Sequence, residues 1–330
     1  MSPRVLACTA GEAQAKRIAA ALDQPLVRCS ETWFASGEGK LVIEENVRGS
    51  DLYVVQAVAS PDTERSIYDQ FMMLLHAVEA AALADAERVT AVLPYYPSAR
   101  QDKRKGRTRE GISAGLVARM LQAAGASRVL TVEIHNEAIA GMFDPTRCQL
   151  ENVYLHNHLA PWARKQGITG DTVVSPDLGG LERARRYAEC LHLHMAALSK
   201  QRDYSQASVV RSSTLIGEVA DHDVTLVDDI VDTAGSVVAA CEELRRRGAR
   251  NISVLCAHAL LSGPALDRLD GLAGRARQEG WSFAMAGTSS VPRQNKPDWY
   301  QEFAIEPLLA KVIRRLNTHG SVTGVQDQGD

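Results

Sequence analysis

What most constrains this chain is an alternation. Short apolar runs rich in Val, Ile and Leu recur between longer amphipathic stretches, the pattern of βαβ units built on a largely parallel sheet. Strands are expected over 51–58, 88–93, 128–134, 171–175, 224–227 and 252–257, and helices over 13–22, 67–85, 112–124, 179–191, 236–247 and 304–317. A weak internal repeat adds to this. Residues 121–135 lie over 244–258 without a gap, each a helix end, a Gly cap (Gly125, Gly248) and a buried strand running into a histidine (His135, His258). With 330 residues, at ~150 per domain, duplication of one α/β domain accounts for both length and pattern. The boundary is expected near residue 150, with a loose polar tail after residue 318.

Composition narrows the partners. Thirty-seven Lys+Arg against forty Asp+Glu leave a net charge of −3, so no global field draws the chain to nucleic acid or to a membrane surface. An anionic ligand must therefore be met locally. No apolar stretch reaches the ~18 to 20 residues of a membrane span, because the best run, 71–83, holds His76 and Glu79. A soluble protein is expected. Only four residues precede the first apolar run at Val5, too few for a signal peptide, and the six cysteines form no C-x-x-C pair. They read as buried or incidental thiols of a reducing cytoplasm.

The strongest chemical signal lies at 224–236. A hydrophobic strand delivers Asp228 and Asp229 to its C-terminal end, the edge at which ligands of open α/β sheets bind. The turn through Asp232, Thr233, Ala234 and Gly235 then leads backbone N–H groups into a helix at Ser236, a ready phosphate cradle. Carboxylates accepting from ribose hydroxyls beside a phosphate cradle suit a sugar phosphate. The plain alternative is an acidic loop with an Asp-Thr helix cap. A pair of adjacent carboxylates at a strand end is costly, however, unless cations or hydroxyls meet it. This segment resembles the phosphoribosyl-diphosphate binding loop shared by type I phosphoribosyltransferases and ribose-phosphate diphosphokinases.

Upstream, Arg100, Gln101 and Asp102 follow a strand and open a basic loop through Lys103, Arg104, Lys105, Arg107 and Arg109. By itself this is a solvated charge run or an arginine clamp for a polyphosphate. Taken with Phe34, Ser36, Gly37 and Glu38, and with the E-N-V-R-G run at 45–49, it resembles the N-terminal half of ribose-phosphate diphosphokinase. The likeness continues in order through T-V-E-I-H at 131–135, S-P-D-L-G-G at 175–180, K-Q-R at 200–202, the Asp228–Ser236 loop and A-H-A-L-L-S-G-P at 257–264. Each segment is modest alone, and their collinear order carries the assignment.

The resemblance implies an α/β fold of two similar phosphoribosyltransferase-like domains, each a mostly parallel sheet flanked by helices. The first would cover 1–150 and hold the ATP segments. The second would cover 151–303 and hold the ribose 5-phosphate loop, with the 304–318 helix returning to the first and 319–330 as tail. It implies a transferase of nucleotide biosynthesis that moves the diphosphoryl group of Mg-ATP to the C1 hydroxyl of ribose 5-phosphate, giving phosphoribosyl diphosphate and AMP. On that reading Phe34, Ser36, Gly37 and Glu38, offered by a neighbouring subunit, bind ATP with Arg100, Gln101, Asp102 and His135. Asp228, Asp229, Asp232, Thr233, Ala234, Gly235 and Ser236 bind ribose 5-phosphate. His135 and Asp177 contact Mg2+, although imidazole is not a preferred ligand of that ion and His135 can instead touch the nucleotide phosphates. Lys200 and Arg202 stabilise the transferring group from a loop that closes over the site. A homo-oligomer, dimer or hexamer, follows from the shared ATP site.

Taken apart from the family, a lone His at a strand end, an Asp before Gly-Gly and a surface Lys-x-Arg are ordinary structural features. The chain also departs from the family: Ser36 stands where Asp or Asn is usual, Gly111 replaces a proline, and the 133–143 run lacks two customary glutamines. Two rival readings stay open, a non-catalytic regulatory subunit of such a synthetase and a type I phosphoribosyltransferase.

Overall fold

The computed structural model describes residues 2–104, 106–202 and 210–327, with side chains of 200–202 and 210–213 left aside. Lys105 and residues 203–209, part of the expected closing loop, lie outside the described residues, as do the side chains of Lys200 and Arg202. The chain forms two compact units. Among the described residues, the first comprises residues 2–154, Ser289–Gln294 and Ala304–Asp327, and the second Leu155–Thr288 and Asn295–Phe303.

The first unit opens with β1 (Arg4–Ala7), α1 (Glu12–Leu22) and β2 (Leu26–Val27). A hairpin of β3 (Cys29–Trp33) and β4 (Gly39–Ile43) follows as a separate two-stranded sheet. Then come β5 (Asp51–Val55), α2 (Ile67–Leu83), β6 (Arg88–Val92), α3 (Ser113–Ala123), β7 (Arg128–Val132) and β8 (Gln149–Val153). The main sheet has order β2-β1-β5-β6-β7-β8 and every pairing in it is parallel. Its central strands are buried along nearly their whole length, which explains why they read as continuous apolar runs rather than as alternations. Helix α2 starts at a capping box in which Ser66 and Asp69 bond each other's backbone N–H.

The second unit opens with α4 (His156–Lys165) and continues through β9 (Thr172–Ser175), α5 (Leu181–Leu191), β10 (His194–Arg202) and β11 (Val210–Ile216). It goes on with β12 (Val224–Val231), α6 (Gly235–Arg246), β13 (Ile252–Ala259), α7 (Ala265–Glu279), β14 (Phe283–Thr288) and β15 (Tyr300–Phe303). Its sheet has order β11-β10-β9-β12-β13-β14-β15, parallel except for the antiparallel β10–β11 pair at the edge. Valines and leucines of β9, β12 and β13 pack with Val237, Cys241, Leu244, Leu269 and Leu272 of α6 and α7 in one apolar core.

The chain ends with α8 (Glu306–Asn317), which joins the first unit by packing on α1, and α9 (Thr323–Asp327). A helix thus stands where a loose tail was expected, and its Gln326 carboxamide donates to the Asn152 carbonyl. Leu308, Leu309, Val312, Ile313 and Leu316 bury the inner face of α8. Glu306 is fully buried there, paired with Arg17 and accepting from Ser289 Oγ at 2.9 Å.

The sheet orders correct the repeat. The run β2-β1-β5-β6-β7-β8 matches β10-β9-β12-β13-β14-β15, so β13 corresponds to β6, whereas the sequence repeat set it against β7. Both copies are a helix, a Gly at positive φ (100° and 90°) and a strand, which is why they align one βα step out of place. The two histidines differ accordingly: His258 lies buried within β13, while His135 stands exposed beyond the end of β7. All six cysteines are free, and among the described residues no helix is long and apolar enough to cross a membrane.

Candidate active site

In the second unit the chain leaves β9 for β10 on one side and returns through β12 on the other, so the sheet order reverses between β9 and β12. The carboxyl ends of strands flanking such a reversal are where open α/β sheets bind ligands. The loop after β9 carries Asp177, and β12 leads into the acidic stretch. Both segments singled out in the sequence therefore converge on one edge.

Asp177 begins a short turn over Leu178–Gly180. Its Oδ1 accepts from the Gly180 N–H at 3.1 Å, and Ser175 Oγ donates to its carbonyl at 2.6 Å. The residue is exposed, and Oδ2 takes no hydrogen bond from the described residues. Helix α5 begins directly after this turn.

Strand β12 is longer than expected, running past the acid pair to Val231, so Asp228 and Asp229 lie inside the strand rather than at its end. Asp229 is 4% exposed. Its N–H donates to Asp228 Oδ1 at 2.9 Å. Burial, followed by the charge of Asp229, pushes the Asp228 carboxyl well above the usual carboxylate range, against the opposing pull of Arg183. The same burial, with the acidic pair beside it, keeps the neighbouring Cys256 of β13 as a thiol. Two adjacent carboxylates in such a place call for cations or hydroxyl donors.

Beyond β12 the backbone turns sharply. Ala234 adopts the left-handed conformation at φ 58°, unusual for a residue with a Cβ, and caps α6. The first N–H groups of α6 have no partner within the helix and point out of its positive end. The turn is held from both sides: Ser262 N–H donates to the Asp232 carbonyl at 2.9 Å, and Arg268 of α7 donates to the Thr233 carbonyl at 2.8 Å. Lys200 and Arg202 lie in β10 where it extends beyond Ser175, the last residue of β9, paired with β11. Their backbone is strand through Arg202, where a loop was expected to begin.

In the first unit, Arg100, Gln101 and Asp102 follow β6, and His135 follows β7, its parallel neighbour. The two loops are joined by Asn136, whose side chain donates to Asp102. Asp102 is accordingly buried and turned inward, leaving Arg100, Gln101 and His135 exposed. Gln101 accepts from Ser113 Oγ at 2.7 Å. Just before His135, buried Glu133 takes a positive φ of 41°, backbone strain of about 1 kcal/mol that sets the direction of the loop.

Phe34, Ser36, Gly37 and Glu38 occupy the exposed tip of the β3–β4 hairpin. Gly37 supplies the φ of 90° that the turn needs, and Ser36 Oγ donates to Glu38 at 3.1 Å. The described residues give this tip no hydrogen bond or ion pair to the Arg100–Asp102 loop.

Sequence reasoning missed Arg183 and Arg268. Each stands a few residues into the helix after a recognised segment, and only an arginine at that spacing marked either one.

Residues 4–125 match the model for the N-terminal domain of ribose phosphate pyrophosphokinase, and residues 149–288 match that for the phosphoribosyl transferase domain. The ribose-phosphate pyrophosphokinase of Bacillus caldolyticus is 35% identical over 313 residues, covering 95% of this chain and 94% of that protein. That of Bacillus subtilis is 34% identical over 309 residues, covering 94% and 92%. The crystal structure of phosphoribosylpyrophosphate synthetase from Mycobacterium smegmatis superposes with a TM-score of 0.84 at 31% identity, covering 97% of this chain and all of that one.

Proposed function

The chain belongs to the ribose-phosphate pyrophosphokinase family and is an enzyme of that type, and from this we propose that it transfers the diphosphoryl group of ATP to ribose 5-phosphate. The C1 hydroxyl attacks the β-phosphorus, the bond from that phosphorus to the α,β-bridging oxygen breaks, and AMP leaves as the hydroxyl gives up its proton. The observation that carries this reading is the acidic pair followed at once by a small-residue turn into α6, at the reversal of the sheet and beside Asp177.

Asp228 and Asp232 bind the ribose hydroxyls, and the backbone of Thr233, Ala234, Gly235 and Ser236 receives the 5-phosphate. Arg100, Gln101 and His135 of the first unit hold the nucleotide, with Asp102 as the brace beneath them. Lys200 and Arg202 carry the charge that develops on the transferring group, since phosphoryl chemistry is mostly positioning and electrostatic stabilisation.

Magnesium fits this donor set. It keeps several waters and binds through one or two carboxylates plus substrate phosphates rather than in a protein cage. Among the described residues no three His, Cys, Asp or Glu groups cluster as such a cage, while Asp177 offers an open carboxylate oxygen. Asp177 would hold the ion, and the ion would neutralise the diphosphoryl oxygens.

The exposed hairpin tip at 34–38, bonded only within itself among the described residues, suits delivery to the ATP site of a second copy in a homo-oligomer. Six free thiols suit a cytoplasmic enzyme. The reaction is tested by following ribose 5-phosphate and Mg-ATP with the protein by phosphorus NMR. AMP and a phosphoribosyl diphosphate signal, each dependent on both substrates, are expected. Replacing Lys200 by Ala should abolish most turnover while the fold survives. A wild type silent with ATP, GTP and CTP would overturn the reading in favour of a regulatory subunit.

A further inference from the structure

We infer that Arg183 is the positioning residue of the acidic pair: it holds Asp229 and Asp228 together so that Asp228, the more exposed of the two, faces the sugar, and it thereby sets affinity for ribose 5-phosphate. This rests on the assignment of that sugar phosphate to the β12–α6 segment.

Asp228 and Asp229 stand side by side in β12 within reach of one cation, and they differ in how far each is covered. The side chain of Asp229 is 6% exposed and that of Asp228 is 22% exposed. Helix α5 packs against β12, and Arg183, in its first turn, is itself mostly covered. Its guanidinium lies 3.4 Å from Asp229 Oδ1 and 3.9 Å from Asp228 Oδ1, so one cation serves both acids, the more buried one more closely.

Asp228 Oδ1 is thus held twice, by the Asp229 N–H at 2.9 Å and by the guanidinium. The Asp228 carboxyl also shares a side-chain hydrogen bond with Asp229, and as the more exposed of the two it is the acid open to a ribose hydroxyl. The turn that presents Asp177 also starts α5, and a Cβ on Gly180 would stand 3.8 Å from the Arg183 guanidinium. One turn therefore sets both Asp177 and the arginine behind the acid pair. Arginine suits the task because a planar fork can address two carboxylates at once, whereas lysine brings a single point charge.

The test compares Arg183→Met and Arg183→Lys with wild type in steady-state kinetics, with titration calorimetry of ribose 5-phosphate and with thermal denaturation. Arg183→Met should raise the KM for ribose 5-phosphate by about ten- to a hundredfold, the usual worth of a hydrogen bond to a charged group. The KM for ATP should stay within about twofold and kcat within about threefold, because uniform binding and not transition-state contact is lost. Arg183→Lys should fall between. If Arg183→Met does not fold, the double variant with Asp229→Asn removes both partners of the buried pair, and the same selective rise is expected.

An unchanged KM for ribose 5-phosphate overturns the proposal. So does an equal rise in both KM values with a lowered Tm, the mark of a merely structural residue. A wild type that shows no calorimetric binding of ribose 5-phosphate overturns the assignment of the site itself, a failure distinct from a variant that binds as wild type does.

Discussion

Gly180→Ala should damage the site without unfolding the protein, and the size of the effect follows from the turn after β9. The φ of this glycine, −89°, is open to alanine, so no backbone strain enters. The difficulty is space. A Cβ would sit 2.8 Å from Ser175 Oγ, about 0.6 Å inside the 3.4 Å at which ordinary contact begins. Ser175 Oγ cannot yield freely, because it donates to the Asp177 carbonyl at 2.6 Å. Either that hydrogen bond breaks, at about 1 kcal/mol, or the turn opens, at about 1–3 kcal/mol for overpacking. A cost of about 1–3 kcal/mol lowers Tm by several degrees. The larger effect is on catalysis, since Asp177 and the start of α5 move with the turn, and displacements toward 1 Å cost up to about a hundredfold. A drop of about ten- to a hundredfold in kcat/KM is expected in steady-state assays of AMP formation. The control is Gly271→Ala in α7, where a Cβ meets nothing within 4 Å; it should leave activity intact and stabilise by about 0.5–1 kcal/mol. Full activity with an unchanged Tm for Gly180→Ala would refute the claim that this turn positions the site.

Two further outcomes follow from buried charges. Asp228 has a native pKa raised by burial and by Asp229, so its contribution to stability is full below the ordinary carboxylate range, about 4, and is lost as pH rises through the raised native value. Asp228→Asn should therefore flatten the Tm-against-pH curve and raise Tm by a few degrees at pH 8 while lowering activity; a wild-type curve that shows no such loss would refute the assignment. Glu306→Ala should remove the carboxylate that meets Arg17 and Ser289 and lower the stability of the first unit by about 2–4 kcal/mol, read by denaturant unfolding.

Much of the candidate site was legible because its parts are local. Strand, acid pair and small-residue turn at 224–236 fall within one βα unit, and S-P-D-L-G-G within another, so sequence order alone placed each at a strand's carboxyl end. The boundaries were less legible. Strand β12 continues through Asp228 and Asp229 because it pairs with β13 as far as Val231 and Ala259, a partner that composition does not reveal. Strands β2, β3, β4, β8, β11, β14 and β15 and helices α4 and α7 stood outside the expected elements. They are short, at sheet edges or polar in composition, and take their form from neighbours. The lost tail had the same cause: Gln326 finds Asn152, remote in sequence.

What the sequence by itself determined is the α/β class, the parallel order implied by its spacing, and the chemistry of each loop, since these depend on residues within a few positions of one another. Tertiary structure alone decided which helices pack on one another, although the resemblance already implied that the 304–318 helix returns to the first unit. Helix α4, after β8, packs on α5, while α8, after β15, returns to α1. Only the sheet order could show that the visible repeat set β7 against β13 instead of β6, because any helix-Gly-strand unit resembles the next. And only the packing of α5 on β12 brought Arg183 to the acid pair, since a buried charge is matched by whatever cation the fold places within reach, at any distance along the chain.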